Sequence, residues 1–309
     1  MEGGFFMREQ LQRLLEKRVQ QCVSNSRKTS DHCSKIEKKK DCLSNRNAEI
    51  VKARAIGQIL NKQVHEDLET VHYQVHFLYL IKQKGQMYQE EEIEKRVATF
   101  FHGTLLTDKE IIPYSNQEGT INTSNEEKKI QDSFSNEIQG NSNLRLSYQY
   151  DRRKAIQYAE RWWNSYNPAY KKFENDCTNF ISQCLHAGNS PMRGYPNRGK
   201  GWWMRGNNWS YSWAIANSLR LYLSNSTVGL RAREVSRPEE LLHGDVICYD
   251  FQGNGRYDHN TIVTGKDAYG MPLVNAHTYN SRLRYWAYED SSAYTPNIKY
   301  KFYTIVDDD

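Results

Sequence analysis

The sequence lacks any long apolar run. No stretch of its 309 residues approaches the roughly 18 consecutive apolar residues that a membrane-spanning helix needs. The first 21 residues, MEGGFFMREQLQRLLEKRVQQ, lack the basic segment followed by an apolar segment that marks a signal peptide. We therefore expect no membrane span and a cytoplasmic location, with action at a cell wall or on a spore as the alternative.

The cysteines and histidines lack the spacing of a metal site. Cys22, Cys33 and Cys42 do not follow zinc-ligand spacing, and His72 and His76 lie too far apart on a predicted strand for easy co-ligation. Six cysteines without a signal peptide are expected to be free thiols rather than a disulfide framework. The sequence therefore predicts no metal and no cofactor.

The composition is that of a folded protein. Aromatic residues make up 12% of the chain, with 21 Tyr and 7 Trp, and charged residues make up 26%. This profile excludes a disordered chain and allows a sizeable buried core. On length alone, two domains are expected.

The positive charge is concentrated near the N-terminus. Residues 1–62 contain 14 Lys and Arg but only 7 Asp and Glu, with KIEKKKD at the centre of the segment. Such an arm could bind an anionic surface, although a solvated helix face is the alternative interpretation. No specific nucleic-acid binding is expected.

The hydrophobic periodicity divides the chain. Residues 5–62 read mainly as helix, interrupted by SNSRKTSDHCS, whereas VHYQVHFLY and VATFFHGTLL alternate as strands do. Residues 1–113 are thus predicted to form a helical plus β-strand domain of unknown function, and the polar residues 114–143 a linker. Residues 144–309 place helices before several short strands, which predicts an α+β domain with helices packed on an antiparallel sheet.

One predicted helix in this C-terminal domain begins with a cysteine. In FENDCTNFISQCLHAG, the apolar residues Phe180, Ile181, Cys184 and Leu185 form one stripe that includes Cys177. Such a position could belong to an inert core cysteine. At a helix start, however, unpaired backbone N–H groups and the helix dipole favour the thiolate, which is the nucleophile.

A cysteine nucleophile needs a base and a group that orients the base. The candidate base is His259, which opens a predicted strand 82 residues after Cys177. Asn275 and His277 lie on one face of the next strand, and either could orient His259. The order cysteine, histidine, polar residue follows the logic of papain-like enzymes.

A tryptophan-rich run separates the cysteine from the histidine. Trp202, Trp203, Trp209 and Trp213 could line a cleft that stacks on sugar or peptide, although at least two of them are expected in the core. Trp202 or Trp203, which adjoin glycines, is expected to face the cleft.

Residues 148–306 resemble the putative amidase domain family, relatives of the NlpC-like and CHAP cell-wall peptidases within the papain-like fold. DCTNFISQCL resembles the nucleophile helix, RPEELLHGDVICYDF the entry into a strand, DHNTIVTG the histidine strand and VNAHT the strand of the third residue. The resemblance implies a catalytic Cys177, His259 and His277 that hydrolyse amide bonds, typically in peptidoglycan peptides. It also implies that Asp176 and Thr178 bind the substrate amine, and we add Trp203 as a substrate-binding candidate. Asn179 departs from the glycine often found there.

Two other functions fit the same residues. An acyltransferase would resolve the same thioester with an amine instead of water. A non-catalytic wall-binding module would use the basic N-terminal arm and a decayed triad, but the intact cysteine and histidine argue against decay. We therefore predict a cysteine amidase that acts on peptidoglycan or another peptide amide.

Overall fold

The computed structural model describes residues 2–23, 33–112 and 147–308. In chain order, the secondary-structure elements are the helices and strands α1 (Glu2–Val23), α2 (Ser34–Asn45), β1 (Ala48–His65), β2 (Leu68–Gln83), β3 (Gln86–Phe101), β4 (Thr104–Glu110), α3 (Arg152–Trp162), α4 (Cys177–Ala187), β5 (Met204–Arg205), β6 (Asn208–Trp209), α5 (Tyr211–Ala214), α6 (Ala216–Asn225), β7 (Arg231–Val235), β8 (Val246–Asp250), β9 (His259–Lys266), β10 (Pro272–Ala276), β11 (Ser281–Tyr285) and β12 (Lys299–Val306).

The chain forms two compact units. The first comprises Met1–Ser115 and Tyr279–Tyr294, and the second comprises Asn116–Thr278 and Thr295–Asp309. The segment Tyr279–Tyr294 was expected in the C-terminal domain, but its strand β11 pairs with β3 of the first unit. The predicted linker, residues 114–143, and nearly all of SNSRKTSDHCS lie outside the described residues.

The first unit packs its helices on an antiparallel sheet. Strands β1, β2 and β3 are consecutive neighbours, and β4 and β11 both pair with β3. Val71, Tyr73, Val75, Phe77 and Tyr79 are buried, while the residues between them are partly exposed. This confirms the predicted two-residue alternation of a half-buried strand.

Strand β1 corrects the predicted helical boundary. Residues 48–62 were expected to be helical, but Ala48–His65 is a strand that pairs along its whole length with β2. Its cross-strand pairing outweighs the local helical pattern, as tertiary context often does.

Two lysines of the basic arm are engaged inside the first unit. Lys39 Nζ lies 2.6 Å from Glu90 Oε1 and 2.8 Å from Asp290 Oδ2. Lys35 Nζ lies 2.6 Å from Glu94 Oε1. Burial lowers the pKa of Lys39, but Asp290 and Glu90 outweigh burial and hold this pKa well above its usual value. These two charges are therefore neither a solvated helix face nor a free anion-binding surface.

The second unit is a mixed α/β structure with a five-stranded antiparallel sheet. The strand order is β10, β9, β8, β12, β7, and helix α4 packs on β9. The predicted helices around Arg152–Trp162, Cys177–Ala187 and Ala216–Asn225 are confirmed. Among the described helices, none combines the length and apolar character that crossing a membrane requires.

Candidate active site

Cys177 is the first residue of helix α4 and is 3% exposed. The apolar stripe behind it, Phe180, Ile181, Cys184 and Leu185, is buried, which is why this segment packs as a helix. Burial raises the pKa of the Cys184 and Cys248 thiols well above their usual value. Cys184 and Cys248 are therefore core thiols, and Cys177 is the cysteine of this unit at a helix start.

The start of α4 is capped by a residue distant in sequence. Thr278 Oγ1 accepts hydrogen bonds from the backbone N–H groups of Asp176 (3.0 Å) and Cys177 (3.1 Å). Asp176 occupies the N-cap position, but its side chain makes no capping bond. The Thr278 hydroxyl thus satisfies donors that the first turn of a helix leaves unpaired.

The Asp176 carboxylate is instead held inside the protein. Its Oδ1 accepts from the Phe173 N–H and from Asn179 Nδ2, each at 2.9 Å. Its Oδ2 lies 2.8 Å from His277 Nδ1, and Asp176 is 1% exposed. Three hydrogen-bond partners fix this buried carboxylate next to Cys177, as a buried charge requires.

His277 uses both of its ring nitrogens in the same cluster. Nδ1 meets Asp176, and Nε2 lies 2.7 Å from the Trp162 carbonyl oxygen. The ring stacks on Phe180 with the centroids 4.0 Å apart. Both ring nitrogens of His277 are thus engaged with Asp176 and Trp162, and the predicted role of His277 in orienting His259 stays a prediction.

His259 begins β9 and is fully buried. Its ring lies beside those of Tyr249 (5.6 Å) and Phe251 (6.1 Å). The next residue, Asn260, reaches helix α4, because its Nδ2 donates to Thr178 Oγ1 at 3.0 Å. Cys177 Sγ lies 3.7 Å from that same Thr178 oxygen. The helix that carries Cys177 and the strand that carries His259 therefore meet through the residues that follow each of them.

The carboxyl group preceding His259 is also perturbed. Burial raises the pKa of Asp258 to about 6, against the lowering effect of the Phe251 backbone N–H.

Asn275, the alternative orienting residue, accepts from Thr264 Oγ1 at 2.7 Å and donates to Glu160 at 2.8 Å. Within residues 2–23, 33–112 and 147–308, no three His, Cys, Asp or Glu side chains converge as a metal site does.

Two comparisons with known proteins give matches, one to a protein family and one to curated proteins. A family profile described as "Putative amidase domain" matches residues 149–303. The chain is 47% identical to "Uncharacterized protein YhbB" of Bacillus subtilis (strain 168) over 317 residues, which cover 100% of this chain and 99% of that protein.

The chain belongs to the putative amidase domain family. It is also 30% identical to "Uncharacterized protein YjcM" of Bacillus subtilis (strain 168) over 138 residues, covering 42% of this chain and 31% of that protein. No solved structure gives a significant match.

The two residues predicted to bind the substrate amine, Asp176 and Thr178, already have hydrogen-bond partners within the amidase domain. Asp176 has the three partners described above, and Thr178, 1% exposed, accepts from Asn260. Both side chains are therefore buried and bonded within the protein at the start of α4, and their binding of a substrate amine stays a prediction.

The tryptophans differ from the expectation for the amidase cleft. Trp202 and Trp203 are buried, and Trp203 Nε1 donates to the carbonyl groups of Asn197 (3.2 Å) and Lys200 (3.1 Å). Trp213 is also buried, whereas Trp209 is partly exposed. Large rings that fill the core leave Trp209 as the candidate for a surface contact.

Several residues around the candidate site were not predicted from the sequence. Thr278 directly follows His277 in the sequence, but its capping role depends on a contact 101 residues away in the sequence. Asn260 could not be distinguished from other polar strand residues. Asn179 had a signal, because the family resemblance implies glycine at this position, and Asn179 bonds both Asp176 and Trp213.

Proposed function

We propose that the protein is a cysteine amidase of papain-like architecture that hydrolyses peptide amides through a thioester on Cys177. Family membership supports amide-bond hydrolysis. The single observation that carries the cysteine mechanism is the position of Cys177 at the start of α4, where the helix dipole favours a thiolate. Its helix packs on the strand that His259 begins.

The chemistry that we assign to these residues has two halves. His259 takes the proton of the Cys177 thiol as the sulfur attacks the carbonyl carbon of the substrate. The tetrahedral intermediate then expels the amine, which His259 protonates, and a thioester remains on Cys177. A water molecule that gives its proton to His259 attacks the thioester, which releases the acid and restores the thiol.

In this proposal, His277 is a positioning residue. It fixes Asp176, and Asp176 in turn holds Asn179 and the backbone of Phe173 around the first turn of α4. A rigid shell of this kind is what keeps a nucleophile in productive geometry.

We further propose peptidoglycan peptides as the substrate class. The resemblance of the helix DCTNFISQCL and the strand DHNTIVTG to cell-wall peptidases supports this choice. The test is to incubate the purified full-length protein with peptidoglycan fragments and to identify the products by mass spectrometry. Cys177→Ala is compared with Cys184→Ala, which removes a core thiol of the same helix.

We expect the wild-type protein and Cys184→Ala to produce a new amine and a new carboxylic acid from one amide bond, and Cys177→Ala to produce neither. A product in which an added amine replaces the leaving amine would identify an acyltransferase. Cleavage by Cys177→Ala at the wild-type rate would overturn the mechanism.

A further inference from the structure

Two cationic side chains, one of them from the segment just before the cysteine helix, lie over the partly exposed ring of Trp209. Lys171 Nζ lies 4.4 Å from the ring centroid of Trp209, and the Arg198 guanidinium carbon lies 4.7 Å from it. Phe173 meets Trp209 edge-on, with the centroids 4.9 Å apart. We call Lys171, Phe173, Arg198 and Trp209 the basic–aromatic cluster.

The cations of the basic–aromatic cluster are held in place although they are exposed. Arg198 Nε donates to the Trp209 carbonyl oxygen at 3.0 Å. The Lys171 carbonyl oxygen accepts from Asn179 Nδ2 at 2.9 Å, which ties this part of the chain to α4. Each cation is also attracted to the negative face of the Trp209 ring. The two charges are therefore partly preorganised.

No carboxylate neutralises these two charges within the described part of the chain. Lys171 and Arg198 make cation–π and backbone contacts but no ion pair there. Lys35 and Lys39 of the first unit, in contrast, each lie against buried carboxylates. Two fixed, exposed and uncompensated cations provide a site for an external anion.

The basic–aromatic cluster adjoins the proposed nucleophile. The Phe173 N–H donates to Asp176, the residue before Cys177. A third cation makes a similar contact nearby. Lys172 Nζ lies 3.9 Å from the centroid of the Tyr166 ring, and the Tyr166 and His277 ring centroids are 5.0 Å apart. An anion held by Lys171 and Arg198 would thus lie on the surface next to the start of α4.

We propose that the basic–aromatic cluster is a subsite for a carboxylate of the amide substrate, with Trp209 and Phe173 packing against the apolar part of the same group. This inference rests on the proposed cysteine amidase function. The ligand class is a peptide amide that bears a carboxylate near the scissile bond. Two cations on one ring suit a single carboxylate, whereas a long polyanion would require an extended basic stripe.

The test compares two small thiol reagents on the full-length protein. Iodoacetate carries a carboxylate and iodoacetamide does not, so the ratio of their alkylation rates at Cys177 reports the local attraction of a carboxylate. The variants are Lys171→Glu and Arg198→Glu. The control is Arg233→Glu, which makes the same charge change on β7, the edge strand at the other side of the sheet from β10. Peptide mapping by mass spectrometry gives the rate at Cys177 alone.

We expect each cluster variant to lower the iodoacetate-to-iodoacetamide ratio by about three- to tenfold, the order that Coulomb's law gives for reversing one unit charge about 10 Å from the reacting sulfur in a water-like dielectric. Arg233→Glu should leave the ratio within about twofold of wild type, and added salt should reduce the difference. Circular dichroism checks that each variant is folded.

An unchanged ratio in both cluster variants, or an equal fall in Arg233→Glu, would overturn the subsite and leave the amidase mechanism intact. Failure of iodoacetamide to modify native Cys177 in the wild-type protein would instead contradict the cysteine mechanism. Alkylation of Cys177 by iodoacetamide is also measured with a long polyanion added. If the polyanion slows this alkylation in the wild-type protein but not in Lys171→Glu, and Lys171→Glu leaves the reagent ratio unchanged, the cluster binds polymers and the carboxylate subsite is overturned.

Discussion

The hydroxyl oxygen of Thr278 lies 3.0 Å from the backbone nitrogen of Asp176 and 3.1 Å from that of Cys177. One side chain therefore caps the helix start at which the proposed nucleophile stands. Thr278 adopts a φ of 75°, an uncommon conformation for a β-branched residue, and such strain often accompanies functional sites.

Thr278→Val should therefore destabilise the second unit. Valine has nearly the same shape but cannot accept the two hydrogen bonds, so we expect a loss of about 1–2 kcal/mol in the free energy of unfolding. Thr278→Ser keeps the acceptor and should remain close to wild type. Urea denaturation followed by tryptophan fluorescence measures both variants. Equal stability of the valine and serine variants would show that the cap contributes nothing.

His277→Ala distinguishes a positioning role from a triad role. Loss of the imidazole removes one of the three hydrogen-bond partners of the buried Asp176 carboxylate and leaves its Oδ2 without the His277 contact, so we expect about 2–4 kcal/mol of destabilisation together with weaker activity. The matched control is His243→Ala, because His243 is an exposed loop histidine. The thermal midpoint and the turnover rate are measured on the same samples. A fall of about 10²-fold in turnover with an unchanged thermal midpoint would restore His277 as the orienting residue of the base.

We expect the stability of the second unit to depend on pH because the pKa of Asp258 is raised. Burial raises its pKa to about 6 in the folded protein, above the value of an unfolded chain, so the folded state binds the extra proton more tightly. This contribution is fully present below about pH 4 and is lost as the pH rises through about 6. Asp258→Asn cannot ionise, so its thermal midpoint should exceed that of wild type by a few degrees at pH 7.5. The difference should vanish at pH 4, and a constant difference at both pH values would contradict this assignment.

We expect the buried ion pairs of Lys39 to stabilise the first unit. Lys39→Met leaves Glu90 without its cationic partner and removes one of the cations that bind Asp290. We therefore expect the free energy of unfolding to fall by about 3–5 kcal/mol. Lys38→Met alters the neighbouring exposed lysine and should change stability by no more than about 0.5 kcal/mol. Hydrogen exchange of the β2 and β3 amides reports the opening free energy of this unit. Similar exchange in the two variants would mean that the ion cluster does not support the fold.

The sequence predicted the elements whose pattern is local. The alternation from Val71 to Tyr79 and the stripe behind Cys177 each depend on neighbours within a few residues, and both appear as expected. Strand β1 was assigned differently because its hairpin pairing with β2 overrides its own local pattern, and the segment containing β11 because it pairs with the distant strand β3.

The difference between local patterns and long-range contacts also explains which parts of the candidate site could be predicted from the sequence. Cys177 and His259 could be proposed from their positions at the start of a helix and a strand. The partners of His277 could not, because Asp176 precedes it by 101 residues and the Trp162 carbonyl by 115. The burial of Trp202 and Trp203 and the partial exposure of Trp209 likewise depend on long-range packing, which the spacing of residues in the sequence does not predict.

The central claim is that Cys177 forms a thioester with the substrate. The most direct measurement is to quench a reaction with peptidoglycan fragments in acid during turnover and to map the protein by mass spectrometry. We expect an added mass equal to the acyl half of the substrate on the peptide that contains Cys177. We also expect Cys177→Ala to lack this adduct and to hydrolyse the substrate at least about 10³-fold more slowly. Wild-type turnover by Cys177→Ala, without any adduct on the native enzyme, would contradict the account.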